Sequence, residues 1–181
     1  MNREKALELL RNHLSNKNLI KHSLALEACM RGLARHFKED EEKWGLAGLI
    51  HDLDYEKTQN QPEKHTLLAC EILKEHGVDE EILRTIRCHA GIEKPITKME
   101  WAIYSADPLT GLIVAATLMH PTKKIKNVDT EFVLRRFKEK SFAKGADRNI
   151  IMECQNLGLS LNEFIQICLS SMQEIADELG L

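Results

Sequence analysis

The chain has 181 residues, with 25 basic against 28 acidic side chains, a net charge of -3 and only 5% aromatics. That length gives one domain a core large enough to be stable alone, and the acidic balance argues against general nucleic-acid binding. The five cysteines are odd in number and form no Cys-x-x-Cys pair, so they read as buried free thiols of a reducing compartment. Met1 to Leu10 carries acidic residues and no long apolar core, unlike a signal peptide. The most apolar run, Leu109 to Met119, is about half of what a bilayer span needs, so no membrane partner and a cytoplasmic location are expected.

Arg3 to Leu14 has an amphipathic helical pattern, with Ala6, Leu7, Leu10 and Leu14 on one face. Ser15 or Asn16 caps a second helix, from about Lys17 to Phe37. Its buried stripe of Leu19, Leu26, Cys29, Met30, Leu33 and Phe37 includes His22, which therefore points inward. Asp40 opens a third helix, with Glu41 and Glu42 in its first turn, where negative charge suits the helix dipole. Its apolar run, Trp44 to Ile50, ends in His51-Asp52, and Gly45 and Gly48 allow a neighbouring helix close.

Asp54 to Gln61 reads as a polar loop, and Pro62 as the first turn of a helix running to His76. Asp79 caps another, Glu80 to about His89, ended by Gly91. Thr97 with Glu100 matches a capping box, and the helix it opens is expected to break at Pro108. Asp107 would then sit at a junction between two helices, the second ending at His120-Pro121. Asp129 or Thr130 opens a helix to about Phe142, Asp147 opens one that stops at Gly158, and Ser160 caps the last, ending at Gly180. No strand-like alternation, internal repeat or low-complexity tract is present. The expected fold is all-α, roughly nine or ten helices in one domain, with a motif core over 17–120 and a packed extension over 121–181.

His22, His51, Asp52, His65, His89 and Asp107 carry the chemistry. An isolated histidine on an apolar face is ordinarily a hydrogen-bonded core residue, and Asp before Pro is an ordinary N-cap. Here, however, the residues sit where helices would bring the whole set back to one place, as in metal sites built inside helical bundles. Nitrogen and oxygen donors without thiolate suit Mn, Fe, Co, Ni or Zn. Two metals sharing a carboxylate can activate a water between them and hold a phosphate in line.

The order His22, His51-Asp52, Asp107 on helices resembles the HD-domain superfamily of metal-dependent phosphohydrolases. With His65 and His89 between, it is similar to the two-metal branch. Ser105-Ala-Asp-Pro-Leu-Thr-Gly-Leu-Ile-Val114 and Lys144-Gly-Ala-Asp-Arg148 resemble small stand-alone bacterial members. The resemblance implies an all-α fold, a first metal on His22, His51, Asp52 and Asp107, and a second on His65 and His89 with Asp52 bridging. It implies hydrolysis of a small phosphorylated molecule, plausibly a nucleotide. Two alternatives share the motif: a mixed-valent di-iron oxygenase and a non-catalytic nucleotide-sensing module. The sequence departs from the family at Tyr55, where some members carry Lys or Glu, and at Cys88-His89, where two-metal members often show His-His. Asp54 and Glu56, flanking Tyr55, are the candidates to move a proton. Lys144 and Arg148 are ordinarily a solvated face, but folded over the metal mouth they would bind substrate phosphate.

Overall fold

Most helix starts are set by the side chains expected to cap them. Asn16, Asp40, Asp79, Thr97, Asp129, Asp147 and Ser160 each accept a hydrogen bond from a backbone N–H in the first turn that follows. Thr97 and Glu100 form the reciprocal capping box. The structure, a computed structural model describing residues 1–181, is all-helical, without a strand. In order the helices are α1 (Arg3–His13), α2 (Lys17–Phe37), α3 (Glu41–Ile50), α4 (Tyr55–Thr58), α5 (Leu67–Glu75) and α6 (Glu80–His89). They continue with α7 (Lys98–Met119), α8 (Thr130–Lys138), α9 (Arg148–Met152), α10 (Leu161–Glu174) and α11 (Ala176–Leu179).

The two longest helices, α2 and α7, pack against each other and organise the rest. α3 and α10 lie on α2, and α6, α8 and α9 lie on α7. One connected core runs from Ala6 in α1 to Leu179 in α11. The contact between α2 and α3 is close enough to require a glycine. A Cβ on Gly48 would stand 2.8 Å from the carbonyl oxygen of Leu26, a backbone atom that cannot yield. That approach brings the end of α3, with His51-Asp52, against His22 of α2.

The expected loop Asp54 to Gln61 contains α4, α8 stops at Lys138 short of Phe142, the helix from Asp147 tightens to a 3-10 turn at Glu153–Leu157, and the helix from Ser160 divides at Ile175 into α10 and α11. Two larger differences from the sequence expectation bear on the site. α7 does not break at Pro108; it runs unbroken from Lys98 to Met119. A proline inside a helix costs on the order of 3 kcal/mol. Here Ala102, Ile103 and Ala106 before it, and Leu109, Leu112, Ile113 and Ala116 after it, are all fully buried in the same core. Keeping both halves in that core outweighs the lost hydrogen bond. The intact helix is long and apolar enough to cross a membrane by length and composition, contrary to the expectation drawn from Leu109 to Met119 alone. It is also the helix on which α2, α6, α8 and α9 pack, and more than half of its most apolar window is buried inside the protein.

The second difference lies between Pro62 and His76. Instead of one helix there is a 3-10 turn, Pro62–Lys64, then a break at His65-Thr66, then α5. Thr66 adopts φ 69°, a left-handed conformation that is costly for a β-branched residue. Its buried hydroxyl has no hydrogen-bond partner.

Candidate metal centre

Six side chains converge where α2, the end of α3, the His65 turn, the end of α6 and the middle of α7 meet. His22 Nε2 lies 2.9 Å from Asp107 Oδ1 and 3.2 Å from His51 Nε2. Asp52 divides its oxygens. Oδ2 faces His51 Nε2 at 3.3 Å and His22 Nε2 at 3.7 Å. Oδ1 faces His65 Nε2 at 3.3 Å and His89 Nε2 at 3.4 Å. Two groups of three have donor atoms mutually within 4.8 Å: His22, His51 and Asp107, and His51, Asp52 and His89.

The outer nitrogens explain why the inner ones face each other. His51 Nδ1 lies 2.9 Å from the carbonyl oxygen of Gly48, and His89 Nδ1 lies 2.6 Å from that of Ile86. A carbonyl only accepts, so both rings donate from Nδ1. Thr110 donates its hydroxyl proton to the Asp107 carbonyl, leaving an oxygen lone pair 3.1 Å from His22 Nδ1. His65 Nδ1 donates to Asp54 Oδ1 at 2.9 Å. Every ring is thereby fixed in the tautomer that presents a bare Nε2 to the centre. Four imidazole lone pairs and two carboxylates facing one another suit a cation, and the donor set of nitrogen and oxygen suits a borderline divalent metal.

Protons fill that role in the metal-free chain. Burial alone would lower the His22 pKa, but the hydrogen bond to Asp107 and the charges of Asp107 and Asp52 outweigh it and raise it to about 9. Burial likewise opposes protonation of His65, and its bonds to Asp52 and Asp54 raise it to about 9. Burial would raise the Asp52 pKa, but His51, His65 and His89 together hold it well below the usual carboxylate range. Asp107 is lowered in the same way, chiefly by His22.

The other expected site residues are placed differently. Asp54 is fully buried, and both oxygens are engaged: Oδ1 with His65, Oδ2 with the Ala69 N–H at 2.9 Å. It therefore caps α5 and orients a ring, and has no free oxygen to move a substrate proton. Glu56 points away from the centre. Its carboxylate accepts from the N–H groups of Ser15 and Asn16 and from the Ser15 hydroxyl, tying α4 to the α1–α2 junction. Those bonds lower its pKa.

Arg148 is also a correction. Its guanidinium donates to the carbonyls of Arg136, Phe137, Glu139, Phe142, Ala143 and Ala146, which leaves no face for a phosphate. The carbonyls at the end of α8 and in the loop after it, where helical hydrogen bonding stops, captured it. What it staples is the loop whose Ala143, Gly145 and Ala146 form one wall of a cavity of about 500 Å³ over the six residues. Lys144, in that loop, is exposed beside the mouth. Tyr55 lines the same cavity, its ring edge-on to His65 at 5.5 Å between centroids. Cys88, beside His89, is buried near Arg84 rather than facing the centre, and burial pushes its thiol up to about 11. Sequence reasoning missed Thr110; its place three residues after Asp107 on a helix was the available signal.

A model of the HD domain matches residues 19–112, just over half of the chain, and that interval contains all six converging residues. The chain belongs to the HD-domain family. Among curated proteins it is similar to Ribonuclease Y of Sulfurovum sp. (strain NBC37-1), 25% identical over 165 residues, covering 90% of this chain and 32% of that protein. Ribonuclease Y of Thermosipho melanesiensis is 26% identical over 137 residues, 74% of this chain and 27% of that protein. Ribonuclease Y of Nitratidesulfovibrio vulgaris (strain DP4) is 29% identical over 96 residues, 53% and 18% respectively. The HD chain thus spans about a third or less of the length of these relatives. No solved structure gives a significant match.

Proposed function

We propose that this HD-domain chain is a metal-dependent phosphohydrolase holding two adjacent divalent cations and acting on a small phosphorylated molecule, with nucleotides among the candidates. The division of Asp52 carries this reading: one oxygen faces His22 and His51, the other faces His65 and His89. His22, His51, Asp107 and Asp52 Oδ2 would hold one cation, and His65, His89 and Asp52 Oδ1 the other. Cations held there would supply Lewis acidity toward phosphoryl oxygens and would lower the pKa of bound water.

The chain's own groups do the rest. Thr110, Asp54 and the carbonyls of Gly48 and Ile86 keep the four rings aimed inward. Leu19, Ala90 and Pro108 give the cavity apolar walls that limit water around a bound ester. Lys144, exposed between Ala143 and Gly145 of the cavity wall, would meet phosphate charge arriving at the mouth. The name of the relatives supports a second substrate for the same centre, a phosphodiester in RNA.

The test is elemental analysis of protein purified without added metal, with hydrolysis assayed on p-nitrophenyl phosphate, nucleoside monophosphates and a short oligoribonucleotide. About two metals per chain are expected. Asp52→Ala is expected to lose both metals and all hydrolysis while helix content stays the same. Full activity in that variant would sink the reading. Iron together with substrate-dependent oxygen consumption would move the chain to the oxygenase alternative.

A further inference from the structure

We infer that Gly111 joins the metal cavity to a second, mainly apolar cavity, and that this second cavity takes the organic group of a phosphate ester too large for the metal cavity alone. The assignment of the phosphate end rests on the phosphohydrolase reading. The joined cavities do not.

The second cavity also has a volume of about 500 Å³, and it shares His22 and Gly111, and no other residue, with the first. It is a groove between α2 and α7, with Leu179, Gly180 and Leu181 at the end of the chain as a further wall. From α7 it takes Gly111, Val114, Ala115 and Leu118, spaced as one face of a helix. Asp107 stands one turn earlier on that face, so the candidate metal centre is one end of the groove. From α2 it takes Asn18, Lys21 and Ala25, around His22. Each volume alone lies within the roughly 300–1,000 Å³ of small-molecule sites. The groove extends the reach from the metals along two rigid helices.

The ridge between the cavities is the His22 ring and residue 111. Asp107 and Thr110 hold the ring, so it does not swing aside. The height of the ridge is therefore set by the side chain at position 111, and there is none. Folding gives no reason for a glycine there. It lies in the middle of a 22-residue helix, where glycine costs stability relative to any ordinary residue. Its φ is not positive, and a Cβ built on it would meet nothing within 4 Å. Neither packing nor backbone conformation asks for glycine; an open passage does.

The lining gives the chemistry of the occupant. Val114, Ala115 and Leu118 offer apolar surface, and Leu118 is 52% exposed. Asn18 and Lys21 add a hydrogen-bonding amide and one cation on the opposite wall. That combination suits an ester with a flat, mainly apolar organic group that also carries acceptors, and a nucleoside monophosphate has this form. A compact aryl ester does not reach it.

The test uses the manganese-loaded full chain, as wild type, Gly111→Leu and Leu118→Arg, with AMP and p-nitrophenyl phosphate as probes. AMP binding is read by calorimetry, separately from turnover. Gly111→Leu is expected to keep its metal content and to weaken AMP binding at least about tenfold. The ratio of kcat/KM for AMP to that for p-nitrophenyl phosphate should fall by a similar factor, through KM. Leu118→Arg, at the exposed far end where it does not threaten the fold, should weaken AMP binding about threefold. Gly111→Ala should raise Tm by roughly 2–4 °C. Unchanged AMP affinity in both variants would overturn the inference. So would a parallel loss of metal and of both substrates in Gly111→Leu, which would place residue 111 in the metal centre. Failure of the wild type to bind AMP would overturn the substrate class. If no ester is hydrolysed but Gly111→Leu still weakens AMP binding, the groove stands and the phosphohydrolase reading falls.

Discussion

The two halves of the candidate metal centre are built from different materials. His22, His51 and Asp107 stand on, or directly at the end of, α2, α3 and α7, the helices that form the core. His51 is fully buried, and its ring is pinned by the carbonyl one turn before it. His65 and His89 come from less secure ground. His89 ends α6, but His65 lies in a break between helices, next to a Thr66 held in the left-handed region. On its outer side the His65 ring is tied by Asp54, at Nδ1. Helices and their carbonyls therefore preform the first half and His89, while a single carboxylate and a strained turn set the His65 side of the second. If both halves hold metals, the second should be the easier to empty.

The largest expected contrast is between His22→Ala and His65→Ala. Removing His22 takes a ligand from the half that anchors Asp52, and loss of both metals and of hydrolysis is expected. Removing His65 should leave about one metal of two, with hydrolysis reduced on the order of 100-fold. Elemental analysis of the two purified variants checks this. Equal losses in both would show that the halves are not separable.

The same contrast explains what could be read from the sequence. The inward place of His22 was legible because helix periodicity assigns it to the buried face of α2, and His51 and Asp52 were legible as a His-Asp pair ending the apolar run of α3. Asp107 was legible for a partly wrong reason. The expected break at Pro108 put it at a junction, whereas buried neighbours on both sides hold α7 straight through it. The tasks of Asp54, Glu56 and Arg148 were not legible. All three use their charge on backbone groups or a ring brought near by tertiary packing: Asp54 on Ala69 and His65, Glu56 on the α1–α2 junction, Arg148 on six carbonyls of the α8 end and the loop after it. Charge and position give proximity to the motif; they do not say which backbone groups will arrive first. The broken helix at His65 was hidden for the same reason, because the carboxylate that caps α5 stands 15 residues upstream of the Ala69 N–H it meets.

Asp54→Asn sharpens the comparison at the single tie. The amide keeps nearly the same shape and can still accept from Ala69, but the charge that orients and polarises His65 is lost. Binding of the second metal should weaken about 10- to 100-fold while the first is unaffected. A stepwise metal titration followed by calorimetry separates the two events. If the first metal weakened as much as the second, Asp54 would be supporting the whole centre.

Acidity gives a smaller effect with a definite sign. In the metal-free chain the pKa values of His22 and His65 are raised to about 9, from an ordinary value near 6.5. Their contribution to stability is complete below about pH 6.5 and fades as pH rises through about 9. Asp52, held low, contributes above its ordinary range near 3.8 and loses that contribution as pH falls further. The metal-free chain should therefore be most stable between about pH 4 and 6.5 as far as these groups decide it. Metal binding must displace the protons on both rings, so affinity should rise from about pH 6 to 9. Protons should be released on binding at about pH 7, measurable as a dependence of the binding heat on buffer ionisation enthalpy. Both halves contain one such ring, so each binding step should release a proton.

The smallest effect is expected at Thr66. Its left-handed backbone costs on the order of 1–3 kcal/mol, and its buried hydroxyl is unpaired. Thr66→Gly removes both penalties, at the expense of the buried methyl group and of added freedom in the unfolded chain. The balance should be a stabilisation of about 1 kcal/mol or less, seen as a rise in Tm of up to about 4 °C. The same change loosens the turn that aims His65, so second-metal affinity should fall a few-fold as the fold becomes more stable. Opposite signs in these two measurements would mean that strain at Thr66 is kept for the position of His65. If stability and metal affinity rose together, the turn would owe its shape to chain connectivity alone, and the asymmetry between the halves would rest entirely on Asp54.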